Sequence, residues 1–307
     1  NAFEYRKTFV KGNTFRAVFS EGDLLPGLII DKYENTLSMQ FLTLGMDTLS
    51  ELVIQAAEAV FSPVNIVLRN DSSSRTLEGL PLEKKIIKGN LDKLPVVNIG
   101  GLLFEVDPLA GQKTGFFLDQ AENRVAFAGL LKSGQTGLDL FCHTGAWGIE
   151  AAKRGAFVTG VDSSDAAVLR AKANAELNNA NKNCAFVKAD VFDFIKMELA
   201  KGKSYDFIVL DPPAFVRSKA NLKNGLRAYR DINSAVMKLA KRGAFIATSS
   251  CSYHVDRNAF IEILRGAAKD AGKTCRITET RSQAKDHPVA LFVPETEYLK
   301  CVIVQIS

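Results

Sequence analysis

Three short stretches of this chain combine reactive residue types with spacings that would bring them to one edge of a sheet. The first runs from Gly137 to Asp162, G-L-D-L-F-C-H-T-G-A-W-G-I-E-A-A-K-R-G-A-F-V-T-G-V-D. Gly145 and Gly148 let a backbone without Cβ atoms approach a ligand and let the following helix pack close to its strand. Asp139 sits inside the end of the first strand. Asp162 closes the second strand, about 20 residues beyond the glycine loop, where a carboxylate hydrogen-bonds a ribose diol. A dinucleotide loop would read G-x-G-x-x-G around a pyrophosphate. Here His143 occupies the first glycine position, and Asp139 would repel a phosphate but attract a cation. A ligand with a ribose, no phosphate, an ammonium and a sulfonium suits this pattern, and S-adenosylmethionine is such a ligand.

The second stretch is D-P-P-A-F (Asp211–Phe215), at the end of the apolar strand Phe207–Leu210. Two prolines fix an extended turn. That turn would present the Asp211 carboxylate and two carbonyls beside a flat substrate, with Pro212 and Phe215 as its walls. The third stretch is T-S-S-C-S-Y-H (Thr248–His254), where Cys251 lies among small hydroxyl residues at a strand tip rather than in an apolar interior. Position alone marks Cys251 as a nucleophile. Cys184, Cys275 and Cys301 lie in apolar strand-like runs, and Cys142 packs beside the glycine loop. His254 is a hydrogen-bonding neighbour and His287, before Pro288, a loop residue. Asp190, in A-D-V-F-D, is placed either to meet an adenine amino group or to cap a helix, and both can hold together. Between the second and third stretches, Val216–Arg230 carries Arg217, Lys219, Lys223, Arg227 and Arg230 and no acid. As a loop leaving the catalytic edge it would neutralise phosphates of a polynucleotide without reading its bases.

The elements that must position these residues read as α/β. Strands are expected at 138–141, 157–161, 184–188, 206–210, 243–248, 275–279 and 298–306. Helices are expected at 146–154, 165–179, 191–200, 228–241 and 256–271. Five strand–helix units followed by a hairpin-like pair make an open, mostly parallel sheet. Before it, residues 14–110 alternate with period two around Gly/Pro turns (F-R-A-V-F, L-I-I-D, T-L-S-M-Q-F), with a helix over Leu49–Phe61 capped by Asp47 or Thr48. Further strand signals lie at Asn65–Arg69, Lys85–Ile87 and Leu102–Val106. This front part is a small α+β unit without a catalytic constellation. Residues 1–13 form a short helix or a linker, and the second domain spans 111–307.

Composition bounds the possibilities. Of the 307 residues 47% are hydrophobic, enough to fill real cores, and no apolar run approaches the roughly 20 residues of a membrane span. Five cysteines without a C-x-x-C and only three histidines speak against a metal centre or a disulfide framework and for a reducing cytoplasm. The net charge of +5 is compatible with a nucleic-acid partner.

Taken together, Q-K-T-G-F-F-L-D-Q (Gln112–Gln120), D-L-F-C-H-T-G-A-W-G, D-P-P-A-F, A-Y-R-D-I-N (Ala228–Asn233) and S-C-S resemble the class I S-adenosylmethionine-dependent methyltransferases that make 5-methylcytosine in large-subunit ribosomal RNA. This is the large methyltransferase I family, and the likeness extends over nearly the whole chain. It implies a seven-stranded, mostly parallel Rossmann-like sheet after a small α+β (EEHI-like) domain. It implies cofactor contacts from Lys113, Thr114, Gly115, Phe116 and Phe117, from Asp139, Phe141 and Gly145, and from Asp162, Asp190 and Asp211. The same resemblance makes Cys251 the nucleophile and Asp211 its acid, with Pro212, Phe215, Arg217, Lys219, Arg227 and Arg230 facing the RNA. The expected partner is protein-poor or unfolded large-subunit rRNA in the cytoplasm, with no membrane, and a homodimer is allowed. The family begins with a small RNA-binding PUA domain, and the resemblance here starts after it. Two-cysteine RNA cytosine methyltransferases carry a second cysteine after the prolines. Ala214 stands there, so another base must release the product. Alternatives are a methyltransferase acting on guanine N7 or an exocyclic amine, which needs no cysteine, and, against the missing glycine, a nicotinamide-type oxidoreductase.

Overall fold

The computed structural model describes residues 1–216 and 218–307, with the backbone alone for Lys219. The chain divides into two compact units, Asn1–Ala121 with Ala284–Glu297, and Glu122–Gln283 with Tyr298–Ser307.

In the first unit, residues expected to be a helix or a linker are a helix, α1 (Ala2–Phe9). Five strands follow in spatial as well as chain order: β1 (Thr14–Phe19), β2 (Leu28–Tyr33), β3 (Thr36–Phe41), β4 (Asn65–Asn70) and β5 (Glu83–Lys88). The β3–β4 pair alone is parallel. Its crossover holds α2 (Leu44–Thr48) and α3 (Ser50–Phe61), so the expected cap at Asp47 or Thr48 is corrected. Thr43 caps α2 with its side chain and Leu49 precedes α3, because the apolar run already starts a helical turn at Leu44. A short helix α4 (Ser74–Leu77) precedes β5. The hairpin of β6 (Val96–Ile99) and β7 (Leu102–Glu105) turns on Gly100 and Gly101, both at positive φ as a two-residue hairpin turn demands. The loop Gln112–Leu118, placed in the second domain by sequence, lies in this unit. Thr114 Oγ1 donates to Asp31, Phe116 N donates to Tyr33 Oη at 3.1 Å, and Arg69 donates to Pro108 O and Gly111 O at 2.9 and 2.8 Å.

The second unit opens with α5 (Ala121–Ala128) and then alternates: β8 (Thr136–Leu140), α6 (Ala146–Ala152), β9 (Phe157–Asp162), α7 (Asp165–Leu177), β10 (Cys184–Lys188), α8 (Val191–Ala200), β11 (Tyr205–Leu210), α9 (Leu222–Leu239), β12 (Ala240–Ser250), α10 (Arg257–Ala271), β13 (Cys275–Arg281) and β14 (Lys300–Ile306). The seven-stranded sheet has the order β10-β9-β8-β11-β12-β14-β13. Its first four pairings are parallel and the β12–β14 and β14–β13 pairings antiparallel. Both faces are covered. On β11, Ile208 and Leu210 join one core with α8, α9 and α10, while Phe207 and Val209 join another with Phe127, Trp147 and Ala151. That is why the buried strand reads as an unbroken apolar run.

Two expectations are corrected. The terminal pair is antiparallel, but no tight hairpin joins it, since the chain between β13 and β14 runs through residues 284–297 of the first unit. Helix α9 begins at Leu222, six residues before the expected start at Ala228. Leu222, Leu226, Tyr229, Ile232, Val236 and Leu239 form one apolar stripe at helical spacing, which the interleaved cations concealed. Lys223 and Arg227 therefore sit on the same helix as Arg230 rather than on a loop.

Candidate active site

Register places the predicted residues. Across the sheet, Lys188 pairs with Asp162, Val161 with Leu140, Leu140 with Leu210, and Leu210 with Thr248. One residue further along, Asp162, Phe141, Asp211 and Ser249 thus stand abreast at the carboxyl ends of β9, β8, β11 and β12. Neighbouring strands lie about 4.8 Å apart, so this row spans roughly 15 Å. The strand order reverses between β8 and β11, and in open α/β sheets ligands bind outside the carboxyl ends at such a point.

On one side of the reversal is the glycine turn. Phe141, His143 and Gly145 all adopt left-handed backbone, at φ 62, 47 and 81°. His143 thus has the conformation of the glycine it replaces, held by its N–H donating to Asp162 Oδ2 at 2.9 Å. The other Asp162 oxygen accepts from Ser164 N at 2.9 Å, so this carboxylate builds the turn. A Cβ on Gly145 would come within 2.8 Å of the Phe186 ring. Asp139 is 1% exposed; Oδ2 accepts Gly148 N–H at 2.8 Å, and among the described residues Oδ1 has no hydrogen-bond partner. Burial, reinforced by the charges of Asp211 and Asp162, pushes its carboxyl up to about 7. An orphaned buried carboxylate oxygen beside a glycine turn fits a ligand bearing N–H groups and positive charge. Asp190 caps α8, its Oδ1 accepting from Phe192 N and Asp193 N at 2.9 and 3.1 Å, and it is exposed at the tip of the sheet beyond β10.

On the other side, Trp147 Nε1 donates to Asp211 Oδ2 at 3.2 Å. Sequence reasoning quoted this tryptophan within the glycine motif but gave it no role; its being the only Trp was the available signal. Pro212 is buried, and half-buried Phe215 packs 4.7 Å from the Tyr229 ring and 6.1 Å from that of Phe192. Cys251 directly follows β12 and is half-buried. The remaining thiols are suppressed. Burial pushes Cys184 and Cys301 up to about 12 and raises Cys142 and Cys275 as well.

In the first unit, the side chains of Thr114 and Phe116 are buried, leaving Lys113 and Phe117 nearer the surface; Lys113 Nζ pairs with Asp119 Oδ2 at 2.6 Å and stands 4.5 Å from the Phe117 ring centre. Arg227 is exposed beside Asp231 at 3.6 Å, and Arg230 forms a two-bonded pair with Asp270 at 2.6 and 2.8 Å. Arg217 and the Lys219 side chain lie outside the described residues. Among those described, no cluster of His, Cys, Asp and Glu could hold a metal, and no helix is long and apolar enough to cross a membrane.

The strand order and its reversal are those of a Rossmann-like class I methyltransferase sheet, and a family described as "Methyltransferase domain" matches residues 131–289. Within that class the chain belongs to the ribosomal RNA large subunit methyltransferase I family. It is 40% identical to "Ribosomal RNA large subunit methyltransferase I" of Shewanella amazonensis over 96% of this chain and 76% of that one. It is likewise 40% identical to the protein of the same name in Aeromonas hydrophila, over 95% and 74%. Among solved structures, SMU.776, a putative methyltransferase complexed with SAH, superposes with a TM-score of 0.85 over 99% of this chain and 79% of that one at 21% identity. Trm5b from Pyrococcus abyssi does so with a TM-score of 0.67 over 91% and 74% at 15% identity. Both likenesses concern the fold.

Proposed function

We propose that this enzyme transfers a methyl group from S-adenosylmethionine to carbon 5 of a cytosine in large-subunit ribosomal RNA, through a transient bond between Cys251 and carbon 6. The observation that carries this reading is the placement of Asp211 and Cys251 on adjacent strand tips, across the reversal from Asp139 and Asp162. Bound S-adenosylmethionine supplies an electrophilic methyl. The chain's own residues do the rest. Asp139 and Asp162 hold the cofactor, with Asp190 beyond them. Asp211, oriented by Trp147, hydrogen-bonds the pyrimidine near N3. The Cys251 thiolate adds to C6, which makes C5 nucleophilic; after methylation a base other than a second cysteine takes the C5 proton as the C6–S bond breaks and the thiolate leaves. Phe215 and Pro212 wall the ring, which must leave its stack to enter. Exposed Lys223 and Arg227 on α9 are suited to phosphates. The reading places the enzyme in the cytoplasm.

The test is Cys251→Ala. Methyl transfer to rRNA should fall below detection while S-adenosylhomocysteine binding changes less than about twofold. RNA containing 5-fluorocytidine should trap the wild-type enzyme covalently. Full activity in the variant, without trapping, would instead indicate methylation of a ring or exocyclic nitrogen.

A further inference from the structure

The A-Y-R-D-I-N motif has no part in the chemistry described above, yet two of its side chains reach the strand tip that carries Cys251. Asn233, 1% exposed, accepts the Thr248 hydroxyl at 2.8 Å and donates to Tyr229 O at 2.8 Å. Tyr229 is fully buried, and its hydroxyl lies 2.9 Å from Ser252 Oγ, on the residue that follows Cys251. The same phenol accepts from Phe215 N at 3.4 Å, and Ser252 Oγ accepts from Val216 N at 3.1 Å. Two buried hydroxyls therefore join the cysteine loop to the end of the D-P-P-A-F turn. From the opposite side, buried Lys300 at the start of β14 donates to Ser252 O and Tyr298 O, both at 2.8 Å.

The helix that carries Tyr229 is pressed onto the turn. A Cβ on Gly225 would lie 2.8 Å from Phe215 O and closer still to Val216 Cγ2. Gly225 and Tyr229 are four residues apart on one helix face, so this close approach brings the phenol to the turn. A buried polar network in which each member is bonded has one low-energy arrangement, and that rigidity fixes what it connects.

We propose that Tyr229, through Ser252, is a positioning residue that sets the separation between the Cys251 loop and the Asp211 turn, the slot into which the target base fits. This rests on the assignment of Cys251 as nucleophile. The phenol touches neither substrate nor cofactor; it acts through the loop. Tyr229→Phe keeps the ring contacts and loses only the hydroxyl. Misplacing a nucleophile by an ångström costs up to about 100-fold.

The experiment compares full-length wild type, Tyr229→Phe, Ser252→Ala, Ser252→Thr and Cys251→Ala. The readouts are single-turnover methyl transfer to large-subunit rRNA, the rate of covalent adduct formation with a 5-fluorocytidine transcript of it, and S-adenosylhomocysteine affinity. We expect Tyr229→Phe and Ser252→Ala to slow both methyl transfer and adduct formation by about 10- to 100-fold. Cofactor affinity should stay within about twofold, and Ser252→Thr, which keeps the hydroxyl, should recover most of the rate. A purely structural role would depress cofactor binding and rates together. Adduct rates within twofold of wild type in Tyr229→Phe and Ser252→Ala, with Cys251→Ala inert, would overturn the positioning role while leaving the nucleophile assignment standing. An active Cys251→Ala would remove both. Should Tyr229→Phe not fold, the two Ser252 variants decide the matter by themselves.

Discussion

Asp31 in the first unit and Asp139 in the second are both carboxylates buried in strands, and their surroundings are opposite. Asp31, wholly buried, receives Arg16 Nε and Nη2 at 2.8 and 2.7 Å and the Thr114 hydroxyl. Asp139 receives one backbone N–H and leaves the other oxygen unpartnered. Burying a carboxylate is costly in either place. In the first unit the cost is offset within the fold by a guanidinium fork that ties two strands to the loop after Gly111. In the second it is left open among the described residues, as the proposed contact with the cofactor's cationic end requires.

The contrast can be broken most forcefully at Arg16. Arg16→Met strands Asp31 as an unpaired buried charge and should destabilise the protein by about 3–5 kcal/mol, read as a lower midpoint in urea titration. An unchanged midpoint would mean that the pair is not structural. Next in size, Asp139→Asn should weaken S-adenosylhomocysteine at least about tenfold, roughly 1.4 kcal/mol, in calorimetry, without lowering the unfolding midpoint. A drop in stability with intact binding would reverse the roles assigned to the two acids.

Proton linkage sharpens the same point. Burial raises Asp139 to about 7, whereas an unfolded aspartate titrates near 3.9. Between these values the folded state keeps a proton that the unfolded state has lost. Stability in the absence of ligand should therefore fall as pH rises from about 4 to about 7 and level off beyond. Asp139→Asn should lack that slope, while in wild type the affinity for the cofactor's ammonium should grow as pH passes through 7. The smallest expected effect is at Arg227, an exposed cation 3.6 Å from Asp231. Arg227→Ala should alter stability by less than about 0.5 kcal/mol and reduce the salt dependence of RNA binding by about one unit of slope.

Much of the second unit was legible because its signals are local. Short apolar runs bounded by glycine, proline or an acid mark β8, β9, β10 and β11. The acids stand where the strands end, so one periodicity argument located both the sheet and its reactive edge. Helix α9 was misjudged at its start because Lys223, Asn224 and Arg227 interrupt the spacing of Leu222 and Leu226, and only packing against the core reveals the stripe. Strand β6 was overlooked because its four residues become a strand by pairing with β7 across Gly100 and Gly101.

The sequence by itself determined the order of elements, the acids and the cysteine at the strand tips, and the class of cofactor, since each follows from residue types a few positions apart. Tertiary structure alone decided which of those tips are neighbours and that Asp139 keeps an unpartnered oxygen. It also decided that Tyr229 and Lys300, remote in the chain, meet at Ser252, the residue after Cys251. Strand order and side-chain networks are set by contacts between distant segments, whose pairing is chosen by the packing of the whole sheet rather than by any short stretch of chain.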